Sequence, residues 1–162
     1  MLKKYMFIFI MLLTFTWTMA DKLPDFKLTS LENKPVSISS LIKENDYTLV
    51  SFFETWCPYC REELKDFVIL KKKYGYQKIG HLAVAFDSNP DLVVRLIKQL
   101  GINFPVIRGS DEIRAYLSIR AYPVTLVLDK NQNIIQNNLG YYPLDYYENL
   151  IKELKKEGKG EK

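Results

Sequence analysis

The only two cysteines of this chain lie two residues apart, inside "FFETWCPYCREE" (Phe52 to Glu63). That spacing restricts what the pair can do. A bridge between Cys57 and Cys60 closes so short a loop that its entropic contribution to the fold is small. Structural zinc asks for four ligands, and the chain supplies two cysteines and one histidine. The surroundings of the pair favour electron exchange. "YTLVSFF" (Tyr47 to Phe53) is a continuous apolar, β-branched run of the kind buried on both faces of a sheet. After the pair, Leu64, Phe67 and Val68 recur at helical spacing until Gly75.

A strand delivering Cys-x-x-Cys to the first turn of a helix has a definite chemistry. Residues i and i+3 there sit about 5–6 Å apart at Cα, the span of a disulfide. Pro58 occupies a position where a missing N–H costs nothing. The free amides and the positive end of the helix dipole then favour the thiolate of Cys57, the attacking species. Cys57 is expected to be solvent-accessible and Cys60, one turn inward, to resolve the mixed disulfide. His81 falls in a second strand pattern and is expected at the surface of a strand end rather than as a base.

The remaining pattern alternates strands with helices, which implies an α/β class, and a closing antiparallel hairpin and last helix make the central sheet mixed. "LPDFKLTSLENKPVSISSL" (Leu23 to Leu41) alternates apolar and polar residues around Glu32-Asn33-Lys34 and predicts a hairpin. "HLAVAF" (His81 to Phe86) predicts a buried strand, and Asn89-Pro90 opens a helix that Gly101 closes. "FPVI" (Phe104 to Ile107) predicts a short strand, and Asp111 is expected to cap a brief helix. "VTLVLD" (Val124 to Asp129) turns at Lys130-Asn131-Gln132 into "NIIQNNLG". A last helix opens near Pro143 and buries Tyr147, Leu150, Ile151 and Leu154.

Residues 1–20 read as a secretory signal. Lys3 and Lys4 precede a run of roughly 15 apolar residues, short of the ~20 that span a membrane, and Thr18-Met19-Ala20 suits cleavage. An uncleaved membrane anchor is the alternative. Residues 21–155 form the expected domain, and 156–162 a flexible charged tail. The formal charge of +4 falls by two when Lys3 and Lys4 leave, which argues against nucleic acid as a partner. An exported location is oxidising, and an inert reduced pair does not suit it.

Four ordered blocks carry a family resemblance over roughly Leu23 to Leu154. These are the opening hairpin, "FFETWCPYCREEL", "INFPVI", and "YLSIRAYPVTLVLDKNQNII". Together they resemble the TlpA/ResA-like thiol-disulfide oxidoreductases, with a thioredoxin-like fold carrying an N-terminal hairpin and an inserted strand and helix. The resemblance implies a cis Pro123 opposite the cysteines, where Tyr122 would present its backbone to an extended partner. It implies that Glu63, in Cys-x-x-Cys-x-x-Glu, tunes the cysteines; a solvated first-turn acid is the plain alternative. Trp56, with Pro58 and Tyr59, would contact the substrate. Ser51 stands where thioredoxins proper carry a buried acid, Pro58-Tyr59 is spelled as in glutaredoxins, and Glu54 and Tyr122 depart from common family spellings.

The resemblance therefore implies an exported enzyme, at the periplasmic or extracytoplasmic face of a bacterial membrane. It would reduce disulfides of exported proteins, apocytochrome c among them, and draw electrons from a membrane thiol protein. It would act as a monomer without a cofactor. An oxidase or isomerase of secreted proteins is the competing enzyme reading, supported by the Pro-Tyr dipeptide. A copper chaperone on the same fold is the competing binding module, though such proteins space their cysteines three apart. A peroxiredoxin is weaker still, because its peroxidatic cysteine has no partner two residues on.

Overall fold

The computed structural model describes residues 21–75 and 78–160. The signal read from residues 1–20 lies outside the described residues. Seven strands form one sheet: β1 (Leu28–Ser30), β2 (Pro35–Val36), β3 (Tyr47–Phe53), β4 (Ile79–Ala85), β5 (Val106–Arg108), β6 (Val124–Asp129) and β7 (Ile134–Leu139). Their spatial order is β2-β1-β5-β4-β3-β6-β7. β3, β4 and β5 run parallel, β6 lies antiparallel beside β3, and β7 lies antiparallel beside β6. The sheet is thus mixed, as the closing hairpin implied, and the fold is thioredoxin-like.

Among the described residues five helices cover it: α1 (Ile38–Ile42), α2 (Pro58–Tyr74), α3 (Pro90–Leu100), α4 (Asp111–Tyr116) and α5 (Leu144–Gly160). Alternate residues of the central strands divide the interior in two. Leu49, Phe53, Ala83 and Val127 pack with Leu64 and Phe67 of α2, Val93 and Leu96 of α3, and Tyr147 and Ile151 of α5. Val50, Phe52, Leu82, Val84 and Leu126 pack instead with Ile38 and Ile42 of α1 and Ile113 of α4. Because the strand period is two, each strand serves both interiors. Gly101 closes α3 at φ 64, a left-handed position that glycine fills without Cβ strain.

Several boundaries differ from the sequence pattern. The hairpin is confined to β1 and β2, and its expected continuation through Leu41 is helical. Ser37 there accepts the N–H of Ser40 and caps α1, so local capping prevails over an alternating pattern. Ser110, not Asp111, caps α4, accepting the N–H of Ile113. Helix α5 continues to Gly160, past the start at 156 of the expected charged tail. Leu150 is half-buried, whereas Tyr147, Ile151 and Leu154 are buried as expected. Among the described residues no helix is long and apolar enough to cross a membrane.

Candidate active site

The carboxyl end of β3 runs through Glu54 to Trp56 and delivers Cys57 as the N-cap of α2, with Pro58 as its first helical residue. Cys57 and Cys60 are joined by a disulfide with Cα atoms 5.3 Å apart. The Cys57 sulfur accepts the Cys60 N–H at 3.2 Å. That bond sets the sulfur at the N-terminus of α2, where a thiolate gains most once the bridge is opened. The expectation of a solvent-accessible Cys57 is corrected: its residue exposure is 4%, and that of Cys60 is 0%. Bridged, the Cys57 sulfur turns inward toward its buried partner and its own helix.

The Tyr122–Pro123 peptide bond is cis, and Pro123 immediately precedes β6, whose Val124 pairs with Phe52 of β3. The Tyr122 ring meets the Trp56 ring edge-on, 6.5 Å between centroids. The structure therefore brings Trp56, Tyr122 and Pro123 to the cysteine loop. Trp56 is 70% exposed and Tyr59 64%, and Tyr59 stacks on Tyr141 at 6.3 Å. Two open aromatic groups thus belong to the cysteine segment, one on either side of Cys57 in the chain.

Beneath them lies a closed polar nest. Glu63 is fully buried, so it is not the solvated first-turn acid that sequence alone allowed. Ser51 donates its hydroxyl to Glu63 Oε2 at 2.6 Å. Thr125 and Tyr147 donate theirs to Glu63 Oε1 at 3.0 and 2.9 Å. Ser51 and Thr125 are direct cross-strand partners on β3 and β6, so the sheet register itself aims both hydroxyls at α2. Burial raises the Glu63 carboxyl to about 6, against the opposing pull of the three hydroxyls. Burial, and then the adjacent carboxylate, push the Tyr147 phenol upward, which keeps it a donor.

Thr125 and the hydroxyl of Tyr147 are members of this polar nest that the sequence reading missed. Their signal was available only through register, since nothing local distinguishes Thr125 from any strand threonine. His81 corrects another expectation. It is 3% exposed in the middle of β4, its ring 5.4 Å from Phe67 and 5.9 Å from Phe104. Burial pushes the imidazole down to about 3, and the ring is neutral near pH 7. A central strand covered on both faces leaves no surface for it. Among the described residues, no three of His, Cys, Asp and Glu group as metal ligands.

Known proteins agree with this geometry. The family model described as the AhpC/TSA family matches residues 19–137. The thiol-disulfide oxidoreductase ResA of Halalkalibacterium halodurans is 28% identical over 138 residues, 82% of this chain and 75% of that one. ResA of Bacillus subtilis is 25% identical over 134 residues, 80% of this chain and 73% of that one. The crystal structure of a thiol:disulfide interchange protein of the thioredoxin family from Chlorobium tepidum superimposes with a TM-score of 0.71. It is 26% identical and covers 83% of this chain and 96% of its own. The chain belongs to the AhpC/TSA family, and within it is TlpA/ResA-like.

Proposed function

We propose that this thiol-disulfide oxidoreductase works outside the cytoplasm and reduces disulfides of exported proteins. The observation that carries the reading is the Cys57 sulfur accepting the Cys60 N–H in the first turn of α2, with its resolving partner bridged behind it and a buried acid one turn further on. In the reduced enzyme the Cys57 thiolate attacks one sulfur of a client disulfide. That S–S bond breaks, the departing sulfur takes up a proton, and Cys57 is joined to the client. Cys60 then gives its proton to the Glu63 carboxylate, positioned one helical turn along. The Cys60 thiolate attacks the Cys57 sulfur and expels the second client sulfur as a thiolate, which takes up the proton held by Glu63, leaving the enzyme bridge.

Two electrons and two protons have passed to the client, and a membrane dithiol protein restores the enzyme. Trp56, Pro58, Tyr59 and Tyr122 form the surface met by the client chain, with the cis Pro123 corner as its floor. Apocytochrome c, whose cysteines must be reduced before haem attachment, is the client class that the family resemblance suggests. The chain acts as a monomer, directed by residues 1–20. The direction of electron flow is tested by equilibrating the Cys57/Cys60 couple with glutathione. A potential near about −270 mV supports reduction, and one near about −120 mV would instead make the enzyme an oxidant. Trapping with Cys60→Ser identifies the client that remains attached to Cys57.

A further inference from the structure

Glu54 and Tyr122 depart from common family spellings, and neither takes part in the electron transfer described above. The structure joins them in a closed ring of five side chains beside the cysteine loop. The Trp56 Nε1–H donates to one carboxylate oxygen of Glu54. The other oxygen faces the guanidinium of Arg114, on the inserted helix α4, at 3.7 Å. Arg114 lies over the Phe86 ring, 4.5 Å from its centroid. Phe86 packs against Tyr122 at 6.0 Å, and Tyr122 meets Trp56 edge-on at 82°. Four separate segments are thereby tied together: 54–56, the residue after β4, α4, and the cis-proline corner.

An indole that is 70% exposed has too little packing to hold one rotamer by itself. A charge-assisted hydrogen bond supplies the missing restraint, and its planar acceptor fixes direction as well as distance. Glu54 is suited to this work because its side chain is only 18% exposed and Arg114 holds its far oxygen. Burial, the largest influence, pushes the Tyr122 phenol up to about 12, so its O–H stays a neutral part of the ring. Preorganised aromatic groups lose less freedom when a chain docks between or beside them.

We propose that Glu54, anchored by Arg114, is a positioning residue that holds Trp56 against Tyr122 as a platform for the extended polypeptide flanking a client cysteine. The role is selective: a small disulfide reaches Cys57 without using the platform, whereas a polypeptide must lie along it. The inference rests on the thiol–disulfide exchange proposed above, and it deepens that reading by assigning the ring to client binding.

The test uses the full chain with Trp17→Phe, which leaves Trp56 as the sole indole of the two tryptophans present. Exchange is measured with glutathione disulfide and with a peptide bearing a glutathionylated cysteine in mid-chain. Glu54→Ala is expected to make Trp56 more accessible to acrylamide quenching. The ratio of kcat/KM for the peptide to that for glutathione disulfide should fall about five-fold, mainly through KM, the scale of one partly exposed charge-assisted contact. Glu54→Gln, which can still accept the indole N–H, should restore most of the ratio, and Arg114→Gln should fall between the two. An unchanged ratio overturns the inference, as does equal loss on both substrates or a fall in ratio without altered quenching. Wild type inert toward both disulfides would overturn the exchange reading itself and this inference with it. Wild type active with an unaltered ratio in Glu54→Ala overturns the inference alone.

Discussion

Thr125 and Leu126 are adjacent on β6, yet they belong to different interiors. Thr125 points to the α2 side, where it donates to Glu63; Leu126 points to the α1 side, among Val50, Phe52 and Leu82. The α2 side also holds Ser51, His81, Tyr147 and the cysteine pair, all buried. The α1 side is almost wholly aliphatic and aromatic. One sheet thus keeps its titrating groups in one layer and its plain apolar burial in the other. The difference teaches that a strand of period two can carry polar, titrating groups on one face and apolar burial on the other.

Substitutions on the two sides should therefore fail in different ways, and the largest effect belongs to the apolar layer. Leu126→Ala should cost about 2–5 kcal/mol by removing fully buried methyl groups, read as a lowered urea midpoint. Exchange per folded molecule should survive, and a catalytic loss as deep as that of Glu63→Gln would break the comparison.

The next effect separates two opposed titrations within the polar layer. The Glu63 carboxyl rises from 4.5 to about 6 on folding, so the folded state holds the extra proton between those values. Its contribution to stability is complete below pH 4.5 and is lost as pH rises through about 6. His81 falls from 6.5 to about 3, so the unfolded chain binds the extra proton there. Its contribution is present above pH 6.5 and is lost as pH falls toward 3. Between pH 4.5 and 6 the two slopes, each about 1.4 kcal/mol per pH unit, cancel. Glu63→Gln should therefore uncover a stability that climbs up to pH 6.5. His81→Leu should uncover one that declines by about 2 kcal/mol from pH 4.5 to 6. Urea midpoints across that range check both, and unchanged profiles would remove the titrating role of the layer.

A smaller change sharpens the same contrast. Tyr147→Phe deletes one hydroxyl from Glu63 and should cost about 1 kcal/mol. Because that hydrogen bond lowers the carboxyl, its loss should move the alkaline-going inflection of the exchange rate to higher pH. A profile that stays in place would detach Tyr147 from the acid.

Much of this arrangement was legible in the sequence because it is local. The run Tyr47 to Phe53, the first-turn proline at 58 and Gly101 each announce one element. The buried position of Glu63 was also present in outline: Cys60, Glu63, Leu64, Phe67 and Val68 lie on one helical stripe. The i, i+3, i+4 pattern puts the acid in an apolar face, and what it could not supply was the set of hydroxyls that makes burial tolerable. Those come from β3, β6 and α5, and only the pairing of Ser51 with Thr125 brings them to one place. His81 was misread because a strand covered on both sides gives no polar alternation to follow. The Glu54–Arg114 contact was illegible for a different reason: it spans a long stretch of chain and depends on where the inserted helix docks.

The two-residue β2 sits at one rim of the sheet, and one of its residues, Pro35, has no N–H to offer. A rim this short and poor in donors is a weak template for strand addition. When the protein is concentrated or partly loosened, fibrous stacking should not begin there, and β-sheet growth between copies has little to start from on that flank.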